Sequence, residues 1–433
     1  MKVLVLGSGG REHALAHALS KSPLVDRIFW TPGNAGAREL AENPQIPLDD
    51  FVSLRAFVKS QKIDLTVVGP EAPLVDGIVD FFLEEGLRIF GPTKQGAMIE
   101  GSKSYAKQLM RDKGIPTARF REFTDRHAAT VYLKEIDPPF VIKADGLAAG
   151  KGVSIVASIK EAEAVLYDLF ERKVFGQSGL KVVIEDYLQG EEATVMALCD
   201  GEGIVPLLSS QDHKPVYDGD RGPNTGGMGA IAPAPVVSPD VMGRVMDEIL
   251  LPLVDELRRR KIDYRGTIYV GLMIQDGNPK VVEFNCRFGD PEAEAVLPLM
   301  DSDLFEAIFR TVEGDLRGYT INWKKGYACD VVLASGGYPG NYTRGKVIEG
   351  LESLKGRDDL IVFHAGTKEE NPGRIVTSGG RVLNIVGMKK TLEEAIAFTY
   401  EQIKHVHFEG MHYRKDIGFR GLKHLKEQRR SRW

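Results

Sequence analysis

The sequence predicts a mixed α/β and α+β protein in three parts: a parallel α/β domain over residues 1–101, a central α+β region over 102–325, and a C-terminal α+β domain over 326–433. Three observations predict it. Short apolar runs at 3–6, 28–30, 65–68 and 88–90 alternate with helical periodicity at 12–19, 51–59 and 74–83, the order that builds a parallel sheet with crossover helices. Strand patterns at 267–274 and 280–285 flank Asp276-Gly277-Asn278, a hairpin turn, so the middle of the chain is antiparallel. Strand patterns at 328–333, 361–364 and 381–386, with a helix at 392–403, make the last part α+β.

The first turn of the N-terminal domain, Gly7-Ser8-Gly9-Gly10-Arg11-Glu12, is similar to the start of a Rossmann-like dinucleotide fingerprint. Two parts of that fingerprint fail. Glu12 stands where Gly or Ala allows close helix packing, and the segment after the second strand, 31–34, has no acidic residue for a ribose hydroxyl. NAD is therefore disfavoured. A single phosphate at the helix N-terminus remains open, with Gly9, Gly10 and Arg11 as donors.

Ser102 is placed to cap a helix that runs to 113 and is stopped by Gly114 and Pro116. It sets Lys103 and Lys107 one turn apart, either as two solvated lysines or as a cationic pair facing a ligand. The stretch 138–154 is the densest in chemistry. A strand at 140–142 ends on Lys143, a glycine-rich loop at 145–152 carries Gly146, Gly150, Lys151 and Gly152, and a second strand follows at 153–156. Backbone N–H groups and two lysines suit a polyanion such as a nucleotide triphosphate. It is not a Walker A loop, because Asp145 and Gly152 stand where glycine and Ser or Thr are required and a strand, not a helix, follows.

A helix at 161–170 and a strand at 182–184 lead into Glu185-Asp186-Tyr187-Leu188. Residues 209–235 form the longest non-periodic segment, expected to be a functional loop because it holds Asp212, His213, Lys214, Asn224, Thr225, Gly226 and Gly227. After a helix at 241–259, the second arm of the hairpin puts Glu283 and Asn285 on one face of a strand. Both offer oxygen to a hard cation; the plainer alternative is a salt-bridged strand end.

The 433-residue chain is 43% hydrophobic, which fits folded domains rather than disorder. A net charge of −5 gives no global case for nucleic acid or an anionic membrane surface, and the basic run at 423–432 reads as a solvated end. Three widely spaced cysteines make neither a disulfide framework nor a zinc set. With an N-terminus that enters a strand at once, the expectation is a monomeric cytoplasmic protein with small-molecule partners, no nucleic acid and no membrane.

Eight motifs in order then carry a resemblance: GSGGREHA from Gly7, GPEAPL from Gly69, EGSK from Glu100, VIKADGLAAGKGV from Val141, SQDHK from Ser210, GPNTGGMGA from Gly222, EFNCRFGDPE from Glu283 and GGYPG from Gly336. Together the chain resembles the ATP-grasp superfamily and, within it, the phosphoribosylamine–glycine ligase family. The resemblance implies a central ATP-grasp fold of two α+β subdomains, with a lid at about 118–190. It implies ATP as a substrate, Mg2+ or Mn2+, and ligation of glycine to 5-phosphoribosylamine through an acyl phosphate, in purine biosynthesis.

By the same resemblance Lys103, Lys107 and Lys143 reach the ATP phosphates, and the loop with Gly146, Gly150, Lys151 and Gly152 covers them. Glu185, Tyr187 and Leu188 belong to an adenine-binding hinge, and Glu192 contacts the ribose. Glu283 and Asn285 hold metal, and Arg287 holds the glycine carboxylate. Gly9, Gly10, Arg11, Glu12, Asp212, Lys214 and Asp290 are candidates for phosphoribosylamine. The first hairpin arm, 269–274, lacks the acidic metal ligand common in the superfamily, so either one metal is held more loosely or a carboxylate such as Asp290 or Glu292 compensates, and the number of metals stays open. Two alternatives stay open: a ligase for another acid or amine, and a nucleotide sensor without turnover.

Overall fold

The computed structural model describes residues 1–148 and 152–431, so Gly150, Lys151 and Arg432 lie outside the described residues. The N-terminal sheet has the order Arg27–Pro32, Lys2–Gly7, Leu65–Val68, Ile89–Phe90, all parallel. Its β-branched and aliphatic runs are buried on both faces, as crossover helices require. Gly77, at φ +97°, splits the expected helix at 74–83 into Glu71–Asp76 and Ile78–Leu83. A residue with a Cβ is strained at that φ, so the chain turns there rather than continuing the helix.

Two antiparallel sheets face each other across the middle of the molecule. One has the order Ile204–Pro206, Glu191–Cys199, Gly266–Gln275, Asn278–Asn285. The other has the order Phe120–Phe123, Val182–Asp186, Phe140–Ala144, Val153–Val156 and is backed by helices Arg126–Leu133 and Ile159–Phe170. The second sheet closes a hydrophobic core of its own, with Phe140, Ile142, Leu166 and Ile184 at its centre. The first shares its core with the N-terminal domain, where Leu4 and Phe82 belong to the same cluster as Val195, Ile268 and Phe284. One sheet is thus fixed to the body and the other is packed largely on itself.

The segment 209–235 is not the open loop its composition predicts. Gln211–Asp212 and Gly229–Ala232 join Tyr327–Ala334, Arg381–Lys389 and Leu360–His364 in one five-stranded antiparallel sheet, and Pro215–Tyr217 pairs with Arg221–Asn224. Strands of two to four residues are too short to show alternation. This sheet also crosses the expected division at 325, because Gly229–Ala232 pairs with residues 328–331.

The basic C-terminal run is helical as far as residue 431, with Lys423 and Arg429 exposed to solvent. Helix Phe419–Ser431 is held by Arg420, which donates to the Asp212 carbonyl (3.1 Å), and by His424 beside Glu191 (3.1 Å). Among the described residues, no helix is long and apolar enough to cross a membrane.

Candidate active site

A cavity of about 480 Å³ opens between the two facing sheets. That size suits a nucleotide-scale ligand. Met110, Val141, Ile155 and Met273 give it apolar walls beside Tyr187 and Leu188. The sequence-predicted residues Arg11, Lys103, Lys107, Lys143, Gly152, Glu185, Glu192, Asp212, Lys214, Glu283, Asn285, Arg287 and Asp290 line the same space. Residues nearly 280 positions apart therefore meet in one site.

Lys143 sits on the central strand pair of the second of the two facing sheets, and Lys107 comes from helix Lys103–Lys113, whose N-cap is Ser102. Both converge on one buried carboxylate. Glu185 lies 2.9 Å from Lys107 Nζ and 3.1 Å from Lys143 Nζ, and Lys143 also donates to the Val282 carbonyl at 2.9 Å. Burial, with Lys143 adding to it, brings the Lys107 ammonium down to about 8 against the opposing pull of Glu185. Burial also lowers Lys103, which donates to the Gly146 carbonyl at 3.3 Å. The solvated-lysine alternative for this pair does not hold for Lys107, whose side chain is buried.

The glycine-rich loop is tied down at its base. Asp145 accepts from the Ser104 N–H (2.6 Å) and from the Ser102 hydroxyl (3.1 and 3.0 Å), so its carboxylate caps the Lys103–Lys113 helix. Gly146 does not line the cavity: a side chain there would collide with Ser178. Gly152 does line it, while Gly150 and Lys151 fall outside the described residues.

Glu283 and Asn285 stand at the end of the hairpin arm Asn278–Asn285. Burial acts to raise Glu283, but Lys214, Lys143 and Lys103 overcome it and bring the carboxyl down to about 2. Among the described residues its ion-pair partner is Lys214, at 3.7 Å, so the carboxylate is only loosely held. Hydrogen bonding assigns the Asn285 amide nitrogen to Glu100 Oε1 (3.0 Å) and the Phe284 carbonyl (3.2 Å), which turns the amide oxygen away from both. One carboxylate and one amide oxygen fit a divalent cation that takes its remaining oxygens from phosphate and water. Asp290 and Glu292 both line the cavity, each already engaged by a protein partner. Asp290 pairs with Arg381 (3.1 Å), Glu292 accepts from the Tyr269 hydroxyl (2.8 Å), and among the described residues no group of three or more His, Cys, Asp or Glu could hold a metal.

Arg287 lines the cavity between two carboxylates, with Nη2 3.1 Å from Glu100 and Nε 3.5 Å from Glu71. Burial works against its charge, and Glu100 and Glu71 outweigh it, so the guanidinium is held firmly protonated. Its Nε–H makes no hydrogen bond. Burial raises the Asp212 carboxyl while Lys214 opposes. Lys214 itself is pushed up, against burial, by Glu192, Asp212 and Glu283.

The N-terminal glycine turn needs correcting. Gly9 donates its N–H to Glu12 Oε2 at 2.6 Å, and Arg11 pairs with Glu12 Oε1 at 2.6 Å, so the chain's own carboxylate occupies the helix N-terminus where a phosphate was expected. Side chains at Gly7 or Gly69 would collide with Glu12. These glycines make room for a buried acid. Of Gly9, Gly10, Arg11 and Glu12, Arg11 alone lines the cavity.

Glu71, Glu100, Tyr269 and Arg381 also line the cavity, unassigned by the sequence reading, as does Glu292, named there only as a possible metal ligand. Glu71, Glu100 and Glu292 lie inside the quoted motifs and were legible as candidates. Nothing marks Arg381, which reaches Asp290 across 91 positions.

Comparison with known proteins agrees along nearly all of the chain. Family models for phosphoribosylglycinamide synthetase match as its N domain at residues 1–100, its ATP-grasp (A) domain at 101–293 and its C domain at 328–420. The phosphoribosylamine–glycine ligase of Caldanaerobacter subterraneus subsp. tengcongensis is 49% identical over 417 residues, covering 96% of this chain and 99% of the relative. The crystal structure of phosphoribosylamine–glycine ligase from Thermotoga maritima superposes with a TM-score of 0.83 at 36% identity, covering 96% of this chain and 100% of that one. The biotin carboxylase domain of Hydrogenobacter thermophilus 2-oxoglutarate carboxylase, solved with MgADP, shares the fold at a TM-score of 0.74 and 18% identity, covering 95% of this chain and 91% of that one. The chain belongs to the phosphoribosylamine–glycine ligase family, the ATP-grasp carbon–nitrogen ligases of purine biosynthesis.

Proposed function

We propose that the chain joins glycine to 5-phosphoribosylamine by way of glycyl phosphate, releasing ADP and phosphate, and that the cavity residues divide that work as follows. The observation that carries the reading is the setting of Glu283: a loosely paired carboxylate, beside an amide oxygen, with Lys103, Lys143 and Lys214 around it. A cationic pocket with one open carboxylate suits a polyphosphate carrying a divalent cation better than any single anion.

Lys143, Lys107 and Lys103 bind the phosphates and neutralise charge that develops as the γ-phosphoryl moves. Glu185 keeps two of these lysines in place, Tyr187 and Leu188 border the base, and Glu192 faces the sugar. Arg287 draws the glycine carboxylate to the γ-phosphoryl. The carboxylate is a poor acyl donor until phosphorylated, after which the amine attacks the carbonyl carbon and phosphate leaves. Arg11, Asp212, Lys214 and Asp290 border the space for the phosphoribosylamine. Mg2+ or Mn2+ held by Glu283 and Asn285 would neutralise phosphate charge. The lid sheet, packed largely on its own core, is suited to close over the phosphates and keep water from the acyl phosphate. The reading extends to a monomeric cytoplasmic enzyme.

The test is ADP release by the purified protein. It is expected only when ATP, Mg2+, glycine and phosphoribosylamine are all present, and other amino acids are expected to leave it at background. Background release with all four present would refute the assignment.

A further inference from the structure

Glu100 ends helix Lys94–Gly101, is buried, and has both carboxylate oxygens engaged. Oε2 accepts from the Cys286 N–H at 2.8 Å and from the Cys286 thiol at 3.2 Å. Oε1 takes the Asn285 amide nitrogen at 3.0 Å and Arg287 Nη2 at 3.1 Å. One side chain from the N-terminal half therefore grips three consecutive residues at the end of the hairpin strand. We infer that Glu100 is a positioning residue that orients the Asn285 amide and the Arg287 guanidinium, and so presents an oxygen rather than an N–H to the divalent cation of the nucleotide.

The chemistry turns on an ambiguity built into asparagine. Its amide carries an acceptor on one side and a donor on the other, and the two orientations fill the same space. Facing a cation, the oxygen binds and the NH2 repels. Nothing in the side chain itself selects between them. Glu100 does, with the Phe284 carbonyl beside it, because a carboxylate has no proton to offer and can only accept. It fixes the nitrogen inward, and the oxygen is left outward. The same oxygen takes one arm of Arg287, so the two groups placed nearest metal and glycine share a single acceptor.

The inference rests on the reading of Glu283 and Asn285 as the cation's ligands, and the test separates the two. In E100Q the amide has one acceptor and one donor, yet donors come from both sides. If its oxygen stays with the Cys286 N–H, its NH2 faces Asn285 and Arg287, and the Asn285 amide turns over. In E100Q/N285D the new amide NH2 at position 100 donates to the carboxylate at 285, which has no wrong orientation.

The measurement is Mn2+ binding in the presence of a non-hydrolysable ATP analogue, followed by electron paramagnetic resonance, with binding of the metal-free analogue as the control. Binding of Mn2+ by the parent protein, lost in Glu283→Ala, tests the ligand reading by itself. E100Q is expected to bind Mn2+ at least about tenfold more weakly, the scale on which groups behind metal ligands act, with the metal-free analogue unchanged. E100Q/N285D is expected to return to within about threefold of the parent. Unchanged Mn2+ binding in E100Q, an equal loss for the metal-free analogue, or a double variant as weak as E100Q would overturn the inference. Should E100Q not fold, the double variant is read alone: binding within threefold supports the inference and a tenfold loss overturns it.

Discussion

Lys107 Nζ and Glu185 Oε2 lie 2.9 Å apart with both side chains buried, and the other oxygen of the same carboxylate is 3.1 Å from Lys143 Nζ. One acid thus stands between two lysines on different elements. Two cations sharing one anion leave a net positive charge in a half-apolar cavity, a state that a polyphosphate relieves. The arrangement gives the site a built-in affinity for an anion.

That setting makes ATP capture pH-dependent. The Lys107 ammonium, brought down by burial to about 8, is charged below that pH and neutral above it. kcat/KM for ATP reports the free protein, so it is expected to fall as pH rises through about 8, while kcat changes little because bound phosphates keep the lysine protonated. Lys107→Met is expected to lower kcat/KM for ATP and to remove this alkaline limb. Steady-state kinetics between pH 6 and 10 checks both.

Lys143→Met keeps the apolar stem and deletes the charge. Glu185 retains Lys107 as a partner, so the fold is expected to survive, with a melting temperature within a few degrees of the parent. Loss of one charge contact to the moving phosphoryl costs about 3 kcal/mol, or about 10²-fold in kcat. A normal turnover number would take Lys143 out of the chemistry.

Arg287→Lys separates the two small substrates. An ammonium cannot reach Glu100 and Glu71 and still present a planar edge, whereas the parent guanidinium spans both. The expected result is a rise in KM for glycine of about tenfold or more, with KM for ATP within about twofold. Equal effects on both would place Arg287 elsewhere in the mechanism.

Arg414 tests the scaffold rather than the chemistry. It is fully buried, donates to Asp220 (2.9 Å), Asp416 (2.8 Å) and the Pro215 carbonyl (3.1 Å), and so pins the 215–224 hairpin to the C-terminal segment. Arg414→Leu is expected to cost about 3 kcal/mol, the low end for a broken buried pair, because both carboxylates keep some water. Denaturant unfolding measures it, read from the shift in midpoint.

The parts of the site that rest on local pattern were legible beforehand. Lys143 follows from a strand ending in a glycine loop, Ser102 from a capping position, and Glu283 with Asn285 from strand alternation. Two things were not. The glycine turn at 7–10 looked like a phosphate cradle, but the space is taken by Glu12, and a side chain folding back onto its own turn leaves no trace in spacing. The segment 209–235 looked like a loop because its pairing partners lie about a hundred residues away, in Tyr327–Ala334. Arg381 and Glu100 act through contacts 91 and 186 positions distant, which no local window contains.

Labelled oxygen follows the proposed chemistry most directly. With glycine carrying 18O in its carboxylate, attack on the γ-phosphoryl followed by amide formation breaks the carbon–oxygen bond to the bridging oxygen. The expected result is one 18O in each inorganic phosphate released, seen by mass spectrometry or by the 31P isotope shift. Unlabelled phosphate during turnover, with the expelled 18O in water instead, would contradict a glycyl phosphate intermediate.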